Sequence, residues 1–147
     1  MSDIDYALNA AANIKGAFAA ALVDYDSGMT LGSRGGSAEF DLDVAAPGNS
    51  EVVRAKFDVM AKLGLQETIE DILITLDTQY HVIRPIYSRS SEDKLFFYLV
   101  LNRQQANLAM ARRDLRLITQ RFSLDEPGTP AGIGAGWERG YAPNERP

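Results

Sequence analysis

Cysteine is absent from this 147-residue sequence, and histidine occurs once, as His81. The lack of cysteine excludes disulfides and thiolate metal sites, and one imidazole is too few for a typical zinc site. No apolar run approaches the ~20 residues that a membrane-spanning helix needs, and the N-terminal residues lack the basic and apolar regions of a signal peptide. We therefore expect a cytoplasmic protein without a metal or cofactor.

Positive charge is also scarce. The chain has 15 lysines and arginines against 20 acidic residues, which gives a net charge of -5. Binding to a phosphate backbone or to an anionic membrane needs a positive field, which this balance does not supply. Nucleic acid and membrane are therefore excluded as the main partners.

The composition changes after Phe122. Residues 123–147 contain four of the six prolines and five of the twelve glycines, with too few apolar residues to form a core. We therefore predict a single domain at residues 3–122, followed by a flexible tail rich in proline and glycine at residues 123–147.

Hydrophobic periodicity predicts the order α-β-β-α-β-β-β-α within the domain, with Ser2 as a possible cap of the first helix. The segments "AFAAALVDY" and "KLFFYLVLN" are apolar on both faces, which is typical of central strands. We expect them in the middle of an antiparallel sheet, with the second and third strands at its edges and helices on both faces. Pro85 removes a hydrogen-bond donor from the fourth strand, which indicates an edge or a bulge.

The second helix is apolar over a wider arc than burial against one sheet face requires. Two adjoining helical faces are apolar: Val53, Phe57 and Met60 on one, and Val52, Ala55, Val59 and Leu63 on the other. Pro47 leaves two alternatives, because a proline is tolerated in the first turn and otherwise kinks a helix. Either the regular helix begins near Pro47, or it is kinked there.

Few residues suggest catalysis. The glycine-rich stretch around Gly35 and Gly36 lacks the lysine and hydroxyl residue of a phosphate loop, so we interpret it as a turn, with Arg34 as a weak candidate for holding an anion. His81 is interpreted as a structural residue of its strand. Glu67, Glu70 and Asp71 form a carboxylate cluster that we interpret as a solvated strand entry. We therefore predict no catalytic, cofactor-binding or metal-binding residues, and no enzyme.

Several segments, together with the order of elements, resemble bacterial members of the roadblock family, which is named for a dynein light chain. They are "AALVDYDSGMTLGS", "AAPGNSEVVRAK", "IEDILITL" with "QYHVIRPI", and "LFFYLVLNRQQANLAMAR". The likeness covers the domain but not the tail, and it consists of apolar and turn patterns rather than a catalytic signature. It implies an α/β (α+β) fold of the roadblock type, profilin-like, with a five-stranded antiparallel sheet and helices on both faces.

The resemblance also implies a homodimer, since roadblock proteins pair through the third strand and the second helix. It assigns the dimer interface to Val52, Val53, Lys56, Phe57, Met60, Ile72, Ile74 and Leu76. It assigns a platform for partner proteins to the polar residues Glu51, Arg54, Asp58 and Lys62. The implied function is a non-enzymatic homodimeric module that binds or regulates a small Ras-like GTPase, or that scaffolds a partner complex.

Two alternatives stay open at this point. A sensory module that binds a small molecule would need a pocket with polar groups, for which Tyr98, His81 and Tyr25 are the plausible donors. In the tail, Trp137 precedes Tyr141 by four residues. These two aromatic residues are either incidental or form a docking motif for a groove on a partner or on this domain itself. The tail carries a net charge of -2, which favours a basic groove.

Overall fold

A computed structural model describes residues 3–87 and 94–124 of the chain. Ser2, Trp137 and Tyr141 lie outside the described residues, as does nearly all of the predicted tail. The described elements are α1 (Asp3–Ala12), β1 (Ala17–Asp24), β2 (Thr30–Gly35), α2 (Leu42–Leu63), β3 (Ile72–Thr75), β4 (Gln79–Ile86), β5 (Leu95–Asn102) and α3 (Leu108–Leu124). This order is the one that the sequence predicts.

The five strands form one antiparallel sheet in the order β2-β1-β5-β4-β3. β1 and β5 lie at its centre, and every residue from Phe96 to Leu101 is buried. Their side chains alternate between two cores, because successive residues of a strand point to opposite faces. The predictions of central first and fifth strands and of edge strands β2 and β3 are confirmed.

Helices cover both faces of the sheet. On one face α1 and α3 pack over a core that includes Leu22, Phe97 and Leu99. On the other face α2 packs over a core that includes Val23, Phe96 and Tyr98, and it lies mainly above β1 and β2. The part of this second face above β3 and β4 is therefore less covered.

The two prolines of the domain differ in their settings. α2 begins at Leu42, five residues before Pro47, so the alternative in which the helix begins near Pro47 is wrong. The Asp41 carboxylate caps the helix by accepting the Asp43 N–H at 3.0 Å, and this cap fixes the earlier start. Pro85 pairs with Phe96 of β5, whereas β3 pairs with β4 only up to Ile83. Pro85 therefore lies where β4 is locally an edge, as predicted.

Among the residues that the structure describes, no helix combines the length and the apolar character needed to cross a membrane.

Candidate partner-binding surface on α2 and β3

α2 is a long helix with well-defined ends. At its C-terminus Gly64 adopts a left-handed conformation with φ of 70°, and its N–H donates to the Ala61 carbonyl. The Leu65 N–H donates to the Met60 carbonyl at 2.9 Å, which completes a Schellman-type cap. A left-handed residue at this position is normally glycine, because glycine has no Cβ to clash. The caps fix where the helix begins and ends.

One apolar face of α2 belongs to the core of the protomer. Val53 is fully buried and Met60 is 7% exposed. Phe57 is partly buried, and its ring stacks on Tyr25 with the centroids 5.7 Å apart. Three of the residues assigned to the dimer interface therefore make their main contacts within one chain.

The adjoining apolar face of α2 is exposed. We call Val52, Ala55, Val59 and Leu63 the α2 stripe; they follow one another at helical spacing, and Val59 and Leu63 are 45% and 66% exposed. An open groove separates this stripe from the sheet edge. It is lined by Val52, Ala55, Lys56 and Val59 on the helix and by Ile69, Asp71 and Ile72 on the sheet side. The helix thus presents apolar side chains to an unfilled space.

The sheet side of this groove is the edge strand β3. Ile72 and Ile74 point to the α2 face, where they are half-buried. β3 pairs with β4 on one side, and within residues 3–87 and 94–124 no strand pairs with its other side. Backbone N–H and C=O groups along this edge are therefore available to a further strand. Leu76, just beyond the strand, is 42% exposed.

The four residues assigned to the partner platform lie on the solvent side of α2. Glu51, Arg54, Asp58 and Lys62 are all exposed and follow one another at helical spacing beside the α2 stripe. Two are acidic and two are basic, so the row is neutral overall. Arg54 also donates a hydrogen bond to the Tyr25 carbonyl, which ties it to the turn after β1.

The donors named for a small-molecule site do not converge. The Tyr98 hydroxyl and His81 Nδ1 lie 3.0 Å apart, and His81 Nε2 lies 2.8 Å from Gln79 Oε1. Burial raises the pKa of Tyr98 to about 12, opposed by a hydrogen bond from the Asn49 side chain. Tyr25 is elsewhere, stacked on Phe57. The polar atoms of Tyr98 and His81 are thus bonded to protein neighbours rather than presented to a ligand.

The glycine-rich stretch and Arg34 are used in packing. The Gly36 N–H donates to the Phe18 carbonyl at 2.9 Å, and Gly35 has φ of 82°. Arg34 donates from Nε to Asn9 Oδ1 at 2.8 Å and from Nη2 to Asp5 Oδ1 at 2.9 Å. The guanidinium therefore links β2 to α1, which is a structural role.

Sequence reasoning missed the ion pair between Asp71 and Arg112. Asp71, interpreted as part of a solvated cluster, has a side chain that is only 8% exposed. Arg112 of α3 donates to its two carboxylate oxygens at 2.8 and 3.1 Å. The hydrogen bond to Asp71 is the main cause that raises the pKa of Arg112. The two residues are 41 positions apart, so no local pattern could have revealed the pair.

Within the part of the chain that the structure describes, no group of three or more histidine, cysteine or acidic side chains could hold a metal ion.

No protein-family model and no curated protein matches this sequence. Solved structures do match its fold. A roadblock/LC7 domain from Streptomyces avermitilis gives a TM-score of 0.65 at 14% identity, covering 82% of this chain and 94% of that one. MglB of Myxococcus xanthus gives a TM-score of 0.63 at 14% identity, covering 82% of this chain and 89% of that one. MglC of the same organism gives a TM-score of 0.54 at 20% identity, covering 85% of this chain and 100% of that one.

These likenesses, together with the strand order β2-β1-β5-β4-β3, show that the chain has the roadblock fold. The predicted five-stranded antiparallel sheet with helices on both faces is confirmed. Identities of 14% to 20% concern the fold alone.

Proposed function

We propose that this roadblock-fold chain forms a homodimer through α2 and β3 and that the dimer is a non-enzymatic module that binds a small Ras-like GTPase. The observation that carries the proposal is the exposed α2 stripe beside the unpaired edge of β3. Such a combination is unusual on a monomer, because exposed apolar stripes and free strand edges both favour association.

A second copy of the chain supplies what both features need. In a two-fold dimer each protomer offers the same patch to the other, so a β3 edge meets a β3 edge and an α2 stripe meets an α2 stripe. The two sheets would then join into one, and the grooves between α2 and β3 would be filled from the partner. An interface of this kind should exceed the ~1,000 Å² expected of a specific contact.

The residues of the predicted interface differ in how accessible they are to a second copy. Val52, Lys56 and Leu76 are exposed, and Ile72 and Ile74 are half-buried, so these five are accessible to a second copy. Val53 and Met60 are buried in the protomer, where they would support the helix from beneath. We extend the proposed interface to Ala55 and Val59, which line the same groove.

The platform would be formed by pairing. Once two α2 helices lie side by side, the rows containing Glu51, Arg54, Asp58 and Lys62 become neighbours on the outer surface of the dimer. A neutral row of alternating charges suits a protein surface of mixed charge better than a polyanion. The choice of a Ras-like GTPase rests on the likeness to the roadblock fold, and the proposal requires a cytoplasmic location.

The partner is tested by pull-down from native lysate, followed by titration of the recovered GTPase against the purified protein. We expect the wild-type dimer to recover a Ras-like GTPase, and the double variant Asp58→Arg with Lys62→Glu to lose it, because two of the four charges of the platform are inverted. Arg113→Glu on α3 is the matched control, since its side chain is 55% exposed on the opposite face.

An intact dimer that recovers no GTPase would contradict the proposed function, as would equal binding by the platform variant and the control. Direct binding of GTP, measured by calorimetry on the isolated protein, would also count against it. We expect none, because the chain lacks the lysine and hydroxyl residue of a phosphate loop.

A further inference from the structure

The face of the sheet opposite α2 carries a second apolar surface. α1 and α3 pack side by side there and leave a groove between them, the α1/α3 groove. Two charged residues, Asp3 and Arg121, and six largely apolar ones line it: Tyr6, Ala7, Ala10, Leu117, Ile118 and Phe122. Tyr6 is 53% and Leu117 is 47% exposed, so both walls offer apolar surface to solvent. A shallower depression shares Ala10, Leu117 and Ile118 and prolongs the groove along the same seam.

The groove is independent of the surface proposed for dimerisation. Its lining residues Ala7 and Ile118 belong to the core beneath α1 and α3, whereas α2 and β3 contribute to the core on the other face. Pairing through α2 and β3 would therefore leave the α1/α3 groove uncovered. The groove is therefore open to a group other than the dimer partner.

The chain itself leads to the groove. Phe122 lies in the last turns of α3 and lines the groove, so the residues that follow α3 start beside it. Trp137 comes 13 positions after Leu124. A flexible segment of that length spans roughly 20 Å, at ~5–6 Å times the square root of the residue number. That span would be enough for Trp137 and Tyr141 to reach the groove, and tethering would give them an effective concentration of about millimolar.

Charge favours the same contact. α3 carries the four basic residues Arg112, Arg113, Arg116 and Arg121 against one acidic residue, Asp114, in a chain whose net charge is -5. The tail, by contrast, has the acidic residues Asp125, Glu126, Glu138 and Glu145 against Arg139 and Arg146. The most basic helix of the domain thus borders the groove, and an acidic segment with two aromatic residues follows it.

We propose that the α1/α3 groove is a docking site for the tail of its own chain, with Trp137 and Tyr141 as the side chains that fill it. Large aromatic rings bury much apolar area at small cost in conformational entropy, which suits a shallow apolar groove. The docked tail covers Tyr6 and Leu117. The α1/α3 groove is then buried by the tail, and the α2 stripe is buried by a second copy.

The experiment uses the fluorescence of the full-length chain, because Trp137 is its only tryptophan. In the wild type we expect emission at shorter wavelength than that of free tryptophan and protection from acrylamide quenching. Leu117→Glu should abolish both, because it places a carboxylate in the groove next to an acidic tail. Met110→Glu is the matched control: Met110 lies on the same helix, is 49% exposed and is not among the residues that line the groove.

Tyr6→Ala on the other wall gives a second, independent variant, and circular dichroism checks that each variant is folded. Emission of the wild type like that of free tryptophan would overturn the proposal. So would a blue shift that survives both Leu117→Glu and Tyr6→Ala. A shift lost on hundredfold dilution would show that the occupant is the tail of another molecule, which also overturns docking within one chain.

Discussion

At the scale of single residues, burial favours the neutral form of His81, because it lowers the pKa of the imidazole. It lies on the α2 face of β4 and makes T-shaped contacts with Phe40 and Tyr98, whose ring centroids are 5.8 and 5.5 Å away. With the proton on Nε2, the ring donates to Gln79 Oε1 and accepts the Tyr98 O–H at Nδ1. A second proton on the ring, at Nδ1, would turn this nitrogen from an acceptor into a donor, so its hydrogen bond with the Tyr98 hydroxyl would have to reverse direction.

This network predicts a dependence of stability on pH. Burial lowers the pKa of His81 in the folded chain below its ordinary value of 6.5. The unfolded chain therefore binds a proton at higher pH than the folded one. The contribution of His81 to the free energy of unfolding is complete above about pH 6.5, and it is lost as pH falls towards the folded-state pKa. Urea unfolding of protein without a histidine tag, from pH 7.5 to 5.5, should show a falling free energy of unfolding.

The control for this prediction is His81→Gln, which keeps hydrogen-bonding groups but does not titrate. Because His81 is the only histidine, the variant should lose most of the slope in this range. An equal slope in both proteins would assign the effect to other groups.

At the scale of elements, the sequence predicted the helices and strands well because their apolar periods differ. It did not predict which apolar face of α2 points inward. Val53 and Val59 both lie on apolar helical faces, and only packing above β1 and β2 makes Val53 buried and Val59 exposed. The helix start was also open, because Pro47 suggested a first turn while the cap at Asp41 lies earlier.

Two glycines in neighbouring elements should respond oppositely to alanine. At Gly35, at the end of β2, φ is 82° and an added Cβ would lie 2.1 Å from the Phe18 carbonyl oxygen. At Gly48, inside α2, an added Cβ would meet nothing within 4 Å. Thermal and urea unfolding should show that Gly35→Ala costs more than ~1 kcal/mol, and that Gly48→Ala gains about 0.5–1 kcal/mol. Stabilisation by Gly35→Ala would contradict the left-handed conformation there.

At the scale of the whole molecule, the sheet separates two surfaces. α1 and α3 cover one face and leave a groove between them, in which we propose that the tail binds. α2 partly covers the other face and leaves a groove beside β3, which we propose that a second copy fills. The sequence indicated surplus apolar surface, but it could not indicate grooves, because these depend on how the folded helices and strands pack against one another. The pair between Asp71, just before β3, and Arg112 of α3 escaped prediction because the two residues are 41 positions apart.

The central claim, a dimer through α2 and β3, is tested most directly by light scattering during size-exclusion chromatography. The wild type should have twice the chain mass of 16.1 kDa. Val59→Glu should reduce the mass to that of one chain, because it places a charge in the proposed interface without touching the protomer core. Met110→Glu, similarly exposed on α3, should leave the dimer intact. A wild-type protein of 16.1 kDa, or a Val59→Glu variant that stays dimeric, would contradict the account.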